Sequence, residues 1–179
     1  MADAPRDDGL AASAEMVLRR RAEALALATE ESEVAKGLSL LLFRIADEWY
    51  AVEAGDVREI FQDYAVTPVP CVPDFILGVV NIRGEILSVT DPARLMGLGS
   101  IGNDEPTAWP AVVVTNQDVA TALVVDEVGD IVEVASHALE PPISGIDRSQ
   151  AEFIAGSVFV SDRMVGLLNV ERVLQPIGS

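Results

Sequence analysis

The sequence predicts an all-β protein of small barrels or a sandwich; two five-stranded β-barrel subdomains from an internal duplication suit the strand count, preceded by an N-terminal amphipathic helix. Three observations predict it. Short apolar stretches alternate with turns rich in Gly and Pro. Almost no helical periodicity occurs beyond one N-terminal segment. The stretch from Phe75 to Met96 recurs with the same internal spacing at Phe153 to Leu174, which is the signature of a duplicated unit.

The two copies align without a gap. Phe75, Ile76 and Gly78 meet Phe153, Ile154 and Gly156, so both begin Phe-Ile-x-Gly. Ile82 meets Val160, the turn Arg83-Gly84-Glu85 meets Ser161-Asp162-Arg163, and Ile86, Leu87 and Val89 meet Met164, Val165 and Leu167. Each copy therefore reads strand, tight turn, strand, and then a short helical turn in which Asp91 and Arg94 match Asn169 and Arg172. Upstream, Asp47, Ala51, Val52, Asp56, Val57, Glu59 and Ile60 align with Asp118, Ala122, Leu123, Glu127, Val128, Asp130 and Ile131. The offset there is 71 (118 − 47), against 78 (153 − 75) for the hairpins, so the second unit carries the longer internal loop.

Taken in order, residues 1 to about 12 combine Pro5, Gly9 and acidic residues and read as a disordered acidic tail. Leu18, Ala22 and Leu25 then recur at helical spacing among Arg19, Arg20, Arg21 and Glu23, which predicts an amphipathic helix from Ser13 to about Thr29. Leu38 to Ile45 reads as a buried strand, Ala46-Asp47-Glu48 as a turn, Trp49 to Val52 as the returning strand, and Val57 to Phe61 as a further extended segment. Three prolines, Pro68, Pro70 and Pro73, exclude regular helix or central strand before the first hairpin. The stretch Gly97 to Pro110 reads as a linker. Ala111 to Thr115, Val119 to Val125 and Ile131 to Val134 are strands of the second unit, followed by a long loop with His137, Pro141, Pro142 and Gly145. The expected divisions are 1–37 for tail and helix, 38–98 for subdomain one, about 99–110 for the linker and 111–179 for subdomain two.

Composition narrows the function. A net charge of −17, with 12 Lys and Arg against 29 Asp and Glu, repels phosphate backbones and argues against nucleic acid as a partner. No apolar run approaches the roughly 18 residues of a membrane span, and the acidic N-terminus lacks the layout of a signal peptide, so a cytoplasmic protein without direct membrane insertion is expected. The single cysteine, Cys71, permits no intrachain disulfide. The single histidine, His137, lies far along the chain from Cys71, and no Cys/His cluster has zinc spacing. Neither a Walker loop nor a dinucleotide fingerprint occurs, so no catalytic residue, cofactor or metal is expected.

The turn Asn81-Ile82-Arg83-Gly84 is the most distinctive local feature. Gly84 can take positive φ and lets the strands reverse tightly, and Arg83 near the tip can reach a carboxylate. The equivalent turn in the second copy is Ser161-Asp162-Arg163, so the hairpin itself demands neither Asn81 nor Arg83.

These residues carry a resemblance. The run Gly78-Val79-Val80-Asn81-Ile82-Arg83-Gly84-Glu85-Ile86-Leu87-Ser88-Val89-Thr90-Asp91 resembles the central motif of the CheW family, the coupling proteins of bacterial chemosensory arrays. Phe43-Arg44-Ile45, Trp49-Tyr50-Ala51-Val52, Val57-Arg58-Glu59-Ile60, Thr67-Pro68-Val69-Pro70 and Pro73-Asp74-Phe75-Ile76-Leu77-Gly78 agree with it in order. The resemblance covers roughly Leu38 to the C-terminus. It departs from the family at Ser88, where proline is usual, at Pro92, and in the added helix before residue 38. It implies two SH3-like barrels packed together and a non-catalytic adaptor that couples methyl-accepting chemoreceptors to the regulatory domain of the histidine kinase CheA, recruited to membrane-associated receptor arrays. The partner-sensitive positions it implies are Glu59, Gly78, Asn81, Arg83 and Gly84, with Leu123, Val124, Val125 and Val128 lining an inter-barrel groove for the receptor tip. The competing reading is a small-molecule-binding double barrel or weak hydrolase using the inter-barrel cleft.

Overall fold

The computed structural model describes residues 15–26, 37–99, 109–142 and 144–178. The predicted acidic tail and most of the predicted linker lie outside them. The chain divides into two units, Met1–Gly37 and Leu38–Ser179. In the first, the described part is a helix over residues 15–26 (α1), within the predicted span, with Met16, Val17, Leu18 and Leu25 exposed.

The second unit is all β apart from short helices. Its strands are β1 (Gly37–Ile45), β2 (Glu48–Glu53), β3 (Val57–Phe61), β4 (Ile76–Ile82) and β5 (Glu85–Thr90), then helix α2 (Pro92–Leu95). The second repeat supplies β6 (Ala111–Asn116), β7 (Val119–Val124), β8 (Glu127–Ala135), helix α3 (Arg148–Ala151), β9 (Ile154–Val160), β10 (Arg163–Leu168) and helix α4 (Val170–Gly178). They form two five-stranded sheets, in the orders β8-β1-β2-β10-β9 and β3-β6-β7-β5-β4.

The sheets do not follow the repeats. Each takes its first hairpin from one copy and its remaining three strands from the other. The join is a parallel pair in both cases: Gly166 and Leu167 of β10 lie beside Tyr50 and Ala51 of β2, and Ser88, Val89 and Thr90 of β5 lie beside Thr121, Ala122 and Leu123 of β7. Parallel neighbours cannot be joined by a tight turn and need a crossing connection. The chain makes that crossing at the 3-10 turn Ala54–Asp56 after β2, and again at Val125 and Asp126, where the Asp126 N–H donates to the Arg44 carbonyl of β1 at 2.9 Å. The expected boundary between 98 and 111 instead joins two strands of the same sheet, so the sequential subdomains are not the spatial ones.

The repeated Phe-Ile-x-Gly has a structural cause. Val79 exchanges backbone hydrogen bonds with Thr67 at 2.8 and 2.9 Å, and Ser157 does the same with Glu140 at 2.9 and 2.8 Å. The segment leading into each hairpin, from β3 to β4 or from β8 to β9, covers the outer edge of the strand that ends its sheet. The closeness leaves no room beside the glycine. A Cβ at Gly78 would stand 2.3 Å from the Thr67 carbonyl oxygen, and one at Gly156 would stand 2.7 Å from that of Glu140.

β1 is buried on both faces, as its unbroken apolar run predicts. Phe43 and Ile45 join the larger core, whereas Leu40 and Leu42 join a smaller one with Val158, Val165 and Leu167. α2 and α4 start alike: Asp91 Oδ1 accepts from the Ala93 and Arg94 N–H groups, and Asn169 Oδ1 accepts from the Arg172 N–H at 3.1 Å. They end differently. Gly97, at φ +73, lets the Leu98 N–H turn back to the Ala93 carbonyl at 2.8 Å and stops α2 after one turn. Gln175 stands at the equivalent place, and α4 runs on for 9 residues where only a short turn was expected.

Candidate functional site

The first hairpin brings part of the expected set together. In its β4–β5 turn both Arg83, at φ +54, and Gly84, at φ +88, are left-handed, the geometry of a type I′ turn. Glycine takes that geometry freely, but an arginine adopts it against steric cost. Ser161 and Asp162 hold the same geometry in the second copy at φ +50 and +62, so the turn imposes it. Asn81 stabilises the first turn, its Oδ1 accepting from the Gly84 N–H at 2.9 Å. Phe159, at the matching position in β9, has no such group.

Glu59 reaches this tip from β3. Arg83 Nη2 lies 3.5 Å from Glu59 Oε2, with the Arg83 side chain 85% exposed and that of Glu59 22%. Two residues not anticipated from sequence complete the cluster. Arg58 Nη1 lies 3.0 Å from Glu85 Oε2 and 3.1 Å from Oε1, and Arg58 Nε lies 3.9 Å from Glu59 Oε1. Arg58 can take part because of a β-bulge: Val57 pairs with Val114 and Glu59 with Val113, leaving Arg58 as the extra residue. A bulge re-aims side chains that strict alternation would send to opposite faces. Since β3 and β4 are the two edges of their sheet, these ion pairs span from one edge strand to the hairpin at the other. Ile86, cross-strand from Asn81, is 62% exposed beside the tip. Exposed isoleucines also occupy matching places on the edge strands, Ile60 on β3 and Ile131 on β8.

The other expected residues sit elsewhere. Gly78 is buried against Thr67 and builds the edge of the sheet, so it offers no partner-facing surface. Leu123, Val124 and Val125 have between 0 and 1% of their surface exposed and belong to the larger core. They do not line an open groove, because β7 is the middle strand of its sheet and is covered on both faces. Val128 is partly buried against the same core.

A cleft of about 340 Å³ lies against the other sheet, lined by Trp49, Tyr50, Ile154, Arg163, Met164 and Gly166 among others. The Arg163 guanidinium stacks 4.5 Å over the Trp49 ring. The Tyr50 hydroxyl donates to Glu48 at 2.6 Å, and burial, then that carboxylate, hold the phenol protonated well above its ordinary range. Burial likewise pushes Tyr64 up to about 12. Asp126 is raised above the ordinary carboxylate value chiefly by burial, with Arg44 opposing. His137 is exposed in the 3-10 turn Ser136–Ala138 and Cys71 is exposed in the proline-rich loop. Among the described residues no group of three or more His, Cys, Asp or Glu side chains is placed to hold a metal, and no helix is long and apolar enough to cross a membrane.

The arrangement offers a charged, exposed hairpin tip on a double-sheet body. The CheW-like domain family model matches residues 39–177. The chain belongs to the CheW family. It is 30% identical over 138 residues to the chemotaxis protein CheW of Rhizobium meliloti (strain 1021), covering 76% of this chain and 87% of that one. It is 34% identical over 137 residues to the protein FrzA of Myxococcus xanthus, covering 74% and 82%. Among solved structures, the scaffolding protein TtCheW of Thermoanaerobacter tengcongensis is similar with a TM-score of 0.66 and 27% identity, over 74% of this chain and 89% of that one. The all-β class and the two SH3-like subdomains expected of the family are those of this CheW-family chain, and its function is that of a chemotaxis scaffold. The alternative reading, a small-molecule binder or hydrolase, finds no support. The strand residues that line the cleft all come from one sheet, with Ile146 and the α3 residue Gln150 closing its side, so it does not lie between the two sheets.

Proposed function

We propose that this protein is a non-catalytic adaptor that couples methyl-accepting chemoreceptors to the regulatory domain of a CheA-type histidine kinase. It works in the cytoplasm, recruited to membrane-associated receptor arrays through those partners. The observation that carries this reading is the exposed Arg83–Glu59 pair, held at the tip of a rigid hairpin in a CheW-family chain. An exposed guanidinium beside a half-buried carboxylate offers both signs of charge to a partner, which favours oriented encounter over raw affinity.

Calorimetry with the cognate kinase's regulatory domain and, separately, with the receptor's cytoplasmic tip tests the reading. Arg83→Ala and Glu59→Arg should each weaken kinase-domain binding by about 1–2 kcal/mol, roughly tenfold. Unfolding free energy of Arg83→Ala should stay within about 0.5 kcal/mol of wild type, as for most surface changes. Absence of binding to both partners by the wild-type chain would refute the adaptor role, and a collapse of stability in Arg83→Ala would make the pair structural.

A further inference from the structure

We propose that Arg58 and Glu85 set the partner specificity of this surface. Arg58 acts as a positioning residue for Glu59, and the four side chains form an alternating row, Glu85, Arg58, Glu59, Arg83, that selects a surface of opposite charge order. The inference rests on the adaptor reading above and deepens it.

Three observations carry it. First, the row is continuous: 3.0 Å from Glu85 to Arg58, 3.9 Å from Arg58 to Glu59 and 3.5 Å from Glu59 to Arg83. Arg58 stands by one carboxylate oxygen of Glu59 and Arg83 by the other, so Glu59 is held between two cations. Second, the backbone departs from regular pairing to achieve this, through the bulge that makes Arg58 the unpaired extra residue of β3. Third, the fold does not need the row. In the second repeat the matching positions are Gly129, Asp130, Ser161 and Arg163, and that sheet is built on the same plan without it.

Stability does not account for the arrangement either, since exposed ion pairs typically contribute only about 0–1 kcal/mol. An alternating row of charges on an otherwise acidic protein does distinguish partners. It accepts one that places a base opposite Glu85 and an acid opposite Arg83, and it opposes one whose charges run in the reverse order, because like charges in apposition are costly.

The test uses the full chain and the kinase regulatory domain as the binding probe. The double exchange Arg58→Glu with Glu85→Arg preserves an ion pair between these two positions but reverses the first half of the row, so that its charges no longer alternate and two acids stand side by side at 58 and 59. It should weaken binding about tenfold or more and lower the association rate, with the unfolding midpoint and circular dichroism unchanged. The neutral single variants Arg58→Gln and Glu85→Gln should fall between wild type and exchange and reduce the salt dependence of association, and they keep the test decisive if the exchanged protein does not fold. Arg83→Ala serves as the reference for the surface itself. If Arg83→Ala weakens binding while the exchange and both neutral variants bind within about twofold of wild type, the specificity inference is wrong and the adaptor reading stands. If the wild-type chain binds neither partner, both fall together.

Discussion

Gly78 shows how a residue can be distinctive in sequence for a reason other than contact with a partner. Its position in the repeated Phe-Ile-x-Gly was legible as part of the framework, but the resemblance also placed it among partner-sensitive residues. The 2.3 Å separation between a hypothetical Cβ and the Thr67 carbonyl decides for the framework, and its φ of +148 adds to the argument. Gly78→Ala should therefore cost about 2–4 kcal/mol in stability, from overpacking and strained backbone together. Urea unfolding measures this, and a loss below about 0.5 kcal/mol would show that the covering segment simply moves aside. Arg58 is the opposite case. Sequence gave no reason to prefer it over any other surface arginine, because its role depends on a register slip that alternation alone does not reveal.

At the scale of elements, the hairpins and the apolar β1 were readable from periodicity and turn residues, and the two hairpins occur where the repeat places them. The length of α4 was not, since the difference from α2 turns on one stop signal, Gly97 against Gln175. Strand β7 is more instructive. Its run Leu123-Val124 continues into Val125 as an unbroken apolar stretch, which by itself indicates a strand buried on both faces. The expectation of a groove lining came from the family resemblance and yields to the observed burial. Leu123→Ala should accordingly cost about 2–5 kcal/mol of folding free energy by leaving a cavity. Kinase-domain affinity, measured at a temperature where the variant is folded, should be unchanged. An affinity loss in the folded variant, with stability retained, would return this strand to the binding surface.

At the scale of the molecule, the repeat was visible in the sequence and its spatial meaning was not. Two self-contained barrels and two barrels that trade their first hairpins satisfy the same apolar pattern, the same turns and the same loop positions, so nothing in the periodicity separates them. The strand orders do. Removing either repeat strips strands from both sheets, so residues 38–98 and 111–178 expressed apart should each lack a cooperative monomeric unfolding transition. Co-expressed, they should associate one to one and recover it. A monomeric, cooperatively melting 38–98 fragment, read by calorimetry and light scattering, would contradict this. The same exchange bears on descent. Two identical chains of a single-repeat ancestor, each lending its leading hairpin to the other, would build both strand orders as a symmetric homodimer. Fusing those chains end to end would leave every strand where it lies now. It would also free the two halves to diverge, one now carrying Asn81, Arg83 and Glu85 at its hairpin and the other Phe159, Ser161 and Arg163 at the matching places.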